Sequence, residues 1–135
     1  MKIGVMVESF RQGFHGGVEK AAALGAQGIQ AYATYGELAP ENMTGEKIRE
    51  ALDFVKSHGL VFSALCGDFG HGFMNPEENK IYVEKSKRVL DLAKKLECNV
   101  VTTHIGVVPT DPAHPRYAVM QKACRQMGEY GDKVG

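Results

Sequence analysis

Three segments of the chain read almost alike: Leu24-Gly25-Ala26-Gln27-Gly28-Ile29, Ser57-His58-Gly59-Leu60-Val61 and Leu96-Glu97-Cys98-Asn99-Val100. Each closes a stretch of helical apolar spacing and opens a short β-branched run, so each is a helix-to-strand joint. A chain that repeats this joint comes back to the same end of a sheet every time. Its strands then run parallel, with right-handed helical crossovers between them.

Four βα units follow from this. Strands are expected over Lys2–Glu8, Ile29–Ala33, Leu60–Cys66 and Asn99–His104. The first helix covers Gly16–Leu24. Thr44 caps the second, with Glu46 at its positive end. Ile48, Ala51, Leu52 and Val55 form its apolar stripe, and His58-Gly59 ends it. Asn75-Pro76-Glu77-Glu78 starts the third helix with a cap, a first-turn proline and two acids. That helix runs to about Leu96, with Ile81, Val89, Leu90, Ala93 and Leu96 expected on its buried side. A fourth runs from about Arg116 to Tyr130. Strand starts at residues 2, 29, 60 and 99 are spaced by 27, 31 and 39 residues, too uneven for a solenoid. No linker divides the chain, so residues 1–135 are expected to form one partial α/β domain.

Composition excludes several partners. Sixteen basic residues balance sixteen acidic ones, so no global field draws nucleic acid or an anionic membrane. No apolar run is long enough to span a bilayer. Met1–Val5 enters a strand without the apolar core of a signal peptide. Cys66, Cys98 and Cys124 are odd in number and widely spaced, which favours reduced thiols and a cytoplasmic chain.

In a parallel βα array, ligands gather at the carboxyl ends of the strands. Those ends carry Glu8 with Ser9-Phe10-Arg11, Tyr32 with Thr34, Tyr35 and Glu37, Cys66 with Asp68 and His71, and His104 with Gly106. The opposite joints carry Gly, Ala, Asn and Gln. His104 can ligate a metal or carry a proton; equally, it can be a strand-end histidine hydrogen-bonded for structure. Cys66 is either a ligand or nucleophile, or a small buried hydrophobe. Asp68 and His71 lie in Gly67-Asp68-Phe69-Gly70-His71-Gly72, which fits an active-site loop or an ordinary turn. Glu8 contacts a polar ligand or caps the strand end. His15 opens a helix and could meet an anion, without a phosphate-loop motif beside it.

The strand-end segments Gly4-Val5-Met6-Val7-Glu8-Ser9-Phe10, Gly28-Ile29-Gln30-Ala31-Tyr32, Ser63-Ala64-Leu65-Cys66-Gly67-Asp68 and Val100-Val101-Thr102-Thr103-His104-Ile105-Gly106 resemble the sugar phosphate isomerase/epimerase family. This is the xylose isomerase-like group of TIM barrels, which also includes AP-endonuclease-type enzymes. The resemblance implies the N-terminal half of a (β/α)8 barrel, since such barrels need about 250 residues. It implies proton transfer next to a carbonyl, assisted by a divalent metal (Mn, Mg, Zn or Co). The family's metal ligands and acid/base carboxylates sit on later strands and are absent from this chain. The chain alone is therefore expected to be inactive and to bind metal weakly. By the same resemblance, Glu8, Tyr32, Cys66, Asp68 and His104 line the sugar pocket, and His104 faces the metal.

If Glu8, Cys66 and His104 point inward, period-two alternation turns Met6, Phe62, Ala64, Val100 and Thr102 inward too, with Gln30 and Tyr32 on strand two. Leaving Met6, Phe62, Val100 and Tyr32 exposed would forfeit roughly 6–12 kcal/mol. A partner is expected to cover that face, either the C-terminal half or a second copy. The expected ligand is a sugar or sugar phosphate, with no membrane and no nucleic acid. Two alternatives are a non-catalytic flavodoxin-like ligand-binding module, which needs another strand order and helices on both faces, and an AP-endonuclease-like repair protein, which lacks the basic surface it would need.

Overall fold

A computed structural model describes residues 1–135. Strands β1 (Gly4–Met6), β2 (Gly28–Tyr32), β3 (Val61–Cys66) and β4 (Val101–Thr102) form one parallel sheet in the order β1-β2-β3-β4. Helices α1 (Gly13–Ala23), α2 (Gly45–Ser57), α3 (Pro76–Lys95) and α4 (Pro115–Val134) alternate with them. The sequential order is that of a half barrel and not of a flavodoxin-like sheet. No helix is long and apolar enough to cross a membrane.

The helices share one face of the sheet. Phe14 and Val18 of α1, Ile48 and Val55 of α2, and Val89 and Leu92 of α3 pack on Ile29, Ala31, Phe62 and Leu65 of the strands. α4 rests on α3, where Ala123 and Met127 meet Val83 and Phe73, and the Tyr130 hydroxyl donates to Asp91 Oδ1 at 2.9 Å. The other face curls inward. Gln30 Nε2 of β2 donates to Thr102 Oγ1 of β4 at 2.9 Å. The two strands are not neighbours, so Gln30 reaches over β3, where the residue beside it is the small Ala64.

The expected caps are present. The Lys47 N–H donates to Thr44 Oγ1 at 3.3 Å, and the Glu77 N–H to Asn75 Oδ1 at 3.0 Å. His114 caps α4, its Nδ1 accepting from the Arg116 N–H. The helix-to-strand joints share one backbone form. Gly25 and Gly59 turn with φ of 78° and 72°, and Glu97 takes the same left-handed turn at 55° without being a glycine.

Four expectations are corrected. Phe62 faces the helices and not the interior of the sheet. A bulge separates the Ile29↔Phe62 pair from Gln30↔Ala64, leaving Ser63 unpaired and shifting the alternation by one residue. Phe62 is 4% exposed and stacks on Phe14 of α1 at 6.1 Å, so it leaves the set of uncovered residues. Strand one stops at Met6 and turns into a 3-10 helix, Val7–Phe10. There the backbone of Val7 lies so close to α1 that a Cβ on Gly17 would come within 2.9 Å of the Val7 carbonyl oxygen. Strand four is reduced to Val101–Thr102, because β3 alone is bonded to it. Ile81 is 58% exposed. It lies two residues from buried Val83, and residues two apart on a helix face nearly opposite sides.

Candidate functional site

Glu8, Tyr32, Cys66, Asp68 and His104 all follow or close the carboxyl ends of the four strands, so the sheet brings them to one rim. The first three are knit together. The β1–β2 register runs through Met6↔Gln30 and, continued past Val7, would set Glu8 opposite Tyr32. Because the chain has already turned at Val7, the backbone ladder stops there. The Glu8 carboxylate takes over, its Oε1 accepting the Tyr32 N–H at 2.8 Å. Its Oε2 is shut away from solvent and has no donor. Across β3, Tyr32 pairs with Cys66 and Cys66 with Thr102. Cys66 is 7% exposed.

The Tyr32 phenol is held above its ordinary value, chiefly by its electrostatic interaction with Cys66. Burial, Tyr35, a hydrogen bond to Cys66 and the Asp68 charge push the same way. Tyr32 therefore stays a neutral phenol, able to donate or accept a hydrogen bond. Asp68 is half-buried, and its Oδ1 accepts the Gly70 N–H at 2.7 Å in a tight turn. The sequence allowed both a turn and a site residue there; the turn is present, and the carboxylate remains beside the tyrosine.

His104 stands apart. It lies two residues past β4, is exposed, and shares no hydrogen bond with the rim. His71 turns to α3, its ring stacking on Tyr82 at 4.4 Å. His15 sits in the first turn of α1, 3.5 Å from Glu37. Gly106 has its open side filled by Met74 at 3.4 Å and by the Gly72 loop, so it serves loop packing. Burial raises the thiols of Cys98 and Cys124 above their ordinary value, and both lie away from the rim.

Two groups have larger parts than their sequence context signalled. Arg11 closes the 3-10 helix in a left-handed conformation, φ 54°, and Glu37 follows β2 on the opposite bank. With Glu8, Phe14, Tyr32 and Tyr35 they line a cleft of about 290 Å³. The clue to Arg11 was Arg11-Gln12-Gly13, a tight turn between strand and helix. A larger space of about 600 Å³ lies between α3 and α4, lined by Val83, Val119 and Ala123. It is far from the strand ends and carries none of the rim chemistry.

Nowhere in the structure do three His, Cys, Asp or Glu side chains converge as a cation site. One Asp68 oxygen is engaged in its turn and His104 belongs to no group of three such side chains, so the residues present do not fit a divalent metal. The rim instead offers a neutral phenol, a thiol, a carboxylate and two tyrosine rings. That set suits hydroxyl groups on an uncharged carbon frame.

Residues 18–135 match the model of a family described as xylose isomerase-like TIM barrel. No curated protein matches the sequence. Among solved structures, a xylose isomerase domain protein from Planctomyces limnophilus is similar with a TM-score of 0.80 and 21% identity, over 98% of this chain and 51% of that one. D-psicose 3-epimerase from Clostridium cellulolyticum H10, crystallised with D-tagatose, gives 0.78 and 16%, over 100% and 50%. 3-Keto-D-glucoside 4-epimerase from E. coli gives 0.75 and 15%, over 100% and 53%. At these identities the likeness is one of fold, and the chain spans about half the length of the structures it matches.

Proposed function

Because the chain belongs to the xylose isomerase-like TIM-barrel family, we propose that it forms the N-terminal, substrate-holding half of a cytoplasmic isomerase or epimerase acting on a sugar or sugar phosphate. The observation that carries this reading is the continuous link from Glu8 through Tyr32 to Cys66 at the strand ends. The names of similar structures, two of them epimerases of sugars, point the same way. Three free cysteines and no disulfide support a reducing compartment.

In this reading the reaction moves a proton on a carbon next to a carbonyl. Tyr32 and Cys66 hold substrate hydroxyls, while Glu8 fixes the Tyr32 backbone and Asp68 borders the pocket. His104 joins the pocket once β4 gains a neighbour. The proton-transferring carboxylates and any divalent metal belong to strands beyond β4, so the chain alone turns over no sugar. The open edges of β1 and β4 are the places where a C-terminal half, or a second copy, completes the barrel.

The test is a titration of the isotopically labelled chain with D-fructose, D-tagatose and their phosphates. Saturable shifts are expected at Glu8, Tyr32 and Cys66, weakened by Tyr32→Ala. If no ligand of either kind moves these signals, the sugar-site reading is wrong.

A further inference from the structure

We propose that the cleft between the β1–α1 and β2–α2 loops takes the uncharged, hydroxyl-bearing end of a sugar and turns away its phosphate ester. The inference rests on the sugar-site reading above and narrows it to unphosphorylated substrates. Two features of the cleft carry it.

The first is charge. Glu8 and Glu37 line the cleft against one cation, Arg11, and the Asp68 carboxylate lies close enough to act on Tyr32. Arg11 forms no ion pair, while His15 lies 3.5 Å from Glu37 and can add positive charge only when protonated. With the imidazole neutral, the lining is net acidic. A phosphate dianion placed there meets like charges.

The second is the pair of rings. Tyr32 and Tyr35 lie 5.0 Å apart with a 34° tilt, and Tyr35 is 57% exposed. Such ring faces suit the C–H face of a sugar. The cleft's volume of about 290 Å³ leaves room for part of a monosaccharide.

The experiment compares D-fructose with D-fructose 6-phosphate on the whole chain at about pH 8, where an imidazole is neutral and a phosphate monoester doubly charged. Tyrosine-selective NMR signals of Tyr32 and Tyr35 report occupancy. The phosphate ester is expected to bind about tenfold more weakly at low salt, or weaker still. The gap should narrow as salt rises. Glu8→Gln and Glu37→Gln should each narrow it; Glu37 is exposed, so its variant keeps the test open if Glu8→Gln folds poorly. Equal or tighter binding of the phosphate ester in the cleft, lost in Arg11→Gln, would overturn the inference while leaving the sugar site standing. Tyrosines unmoved by either ligand would sink both.

Discussion

Cys66 and Thr102 are paired at the ends of adjacent strands, yet the first is buried and the second exposed. β3 has a strand on each side, and its Phe62 and Leu65 are sealed under the helices. β4 has one neighbour, shrinks to two residues, and leaves Val100 48% exposed with His104 free beyond it. A parallel strand therefore gives a fixed rim group in one place and an unanchored one in the other. The strand-end residue of β3, flanked on both sides, is fixed in the rim, whereas that of β4, with one neighbour and no other anchor, is not. Glu8 adds to this lesson. β1 is also an edge strand, but its one neighbour is enough, because the Glu8 carboxylate replaces the ladder bond that the turn at Val7 removed.

The contrast can be broken most sharply in the core. Phe62→Ala should lose about 3–5 kcal/mol, whereas Val100→Ala should stay within about 0.5 kcal/mol. Urea unfolding followed by far-ultraviolet circular dichroism measures both; the chain has no tryptophan for a fluorescence readout. If Val100→Ala were as damaging as Phe62→Ala, the β4 edge would be covered in solution and the contrast would fall.

A middle-sized effect is expected at the rim. Glu8→Ala strands the Tyr32 N–H and should cost about 1–3 kcal/mol. Glu8→Gln, which keeps an acceptor oxygen, should cost less. His104→Ala should change stability by no more than about 0.5 kcal/mol. Hydrogen exchange at the Tyr32 amide should quicken in Glu8→Ala alone. Quickening in His104→Ala would show that the two ends of the rim are coupled after all.

The smallest effect concerns the joint leading into β4. Gly25 and Gly59 make the left-handed turn before β2 and β3, but Glu97 makes it before β4. Its one compensation is an exposed ion pair with Lys56 at 2.7 Å. Glu97→Gly relieves the backbone and loses that pair, for a net gain of about 0.5–1 kcal/mol. A loss of stability in thermal unfolding would mean the ion pair outweighs the strain. A gain sharpens the picture of β4 as the least secured strand.

Local signals in the sequence determined a great deal. The joints marked where each helix hands over to a strand, and Thr44 and Asn75 marked helix starts that the caps reproduce. The order of polar groups along the chain put Glu8, Tyr32, Cys66, Asp68 and His104 at one end of a parallel sheet. Each of these features depends on residues close together in sequence, which is why it can be read from sequence. The bulge at Ser63 cannot, because it is a mismatch between two strands more than thirty residues apart, and it alone decides that Phe62 faces the helices. The shortness of β4 is likewise a matter of how many strands flank it. The link between Glu8 and Tyr32 needed the early turn of β1 against α1. The tertiary structure decided which of the strand-end residues belong to a common cleft, since that depends on strand register and on where neighbouring strands end.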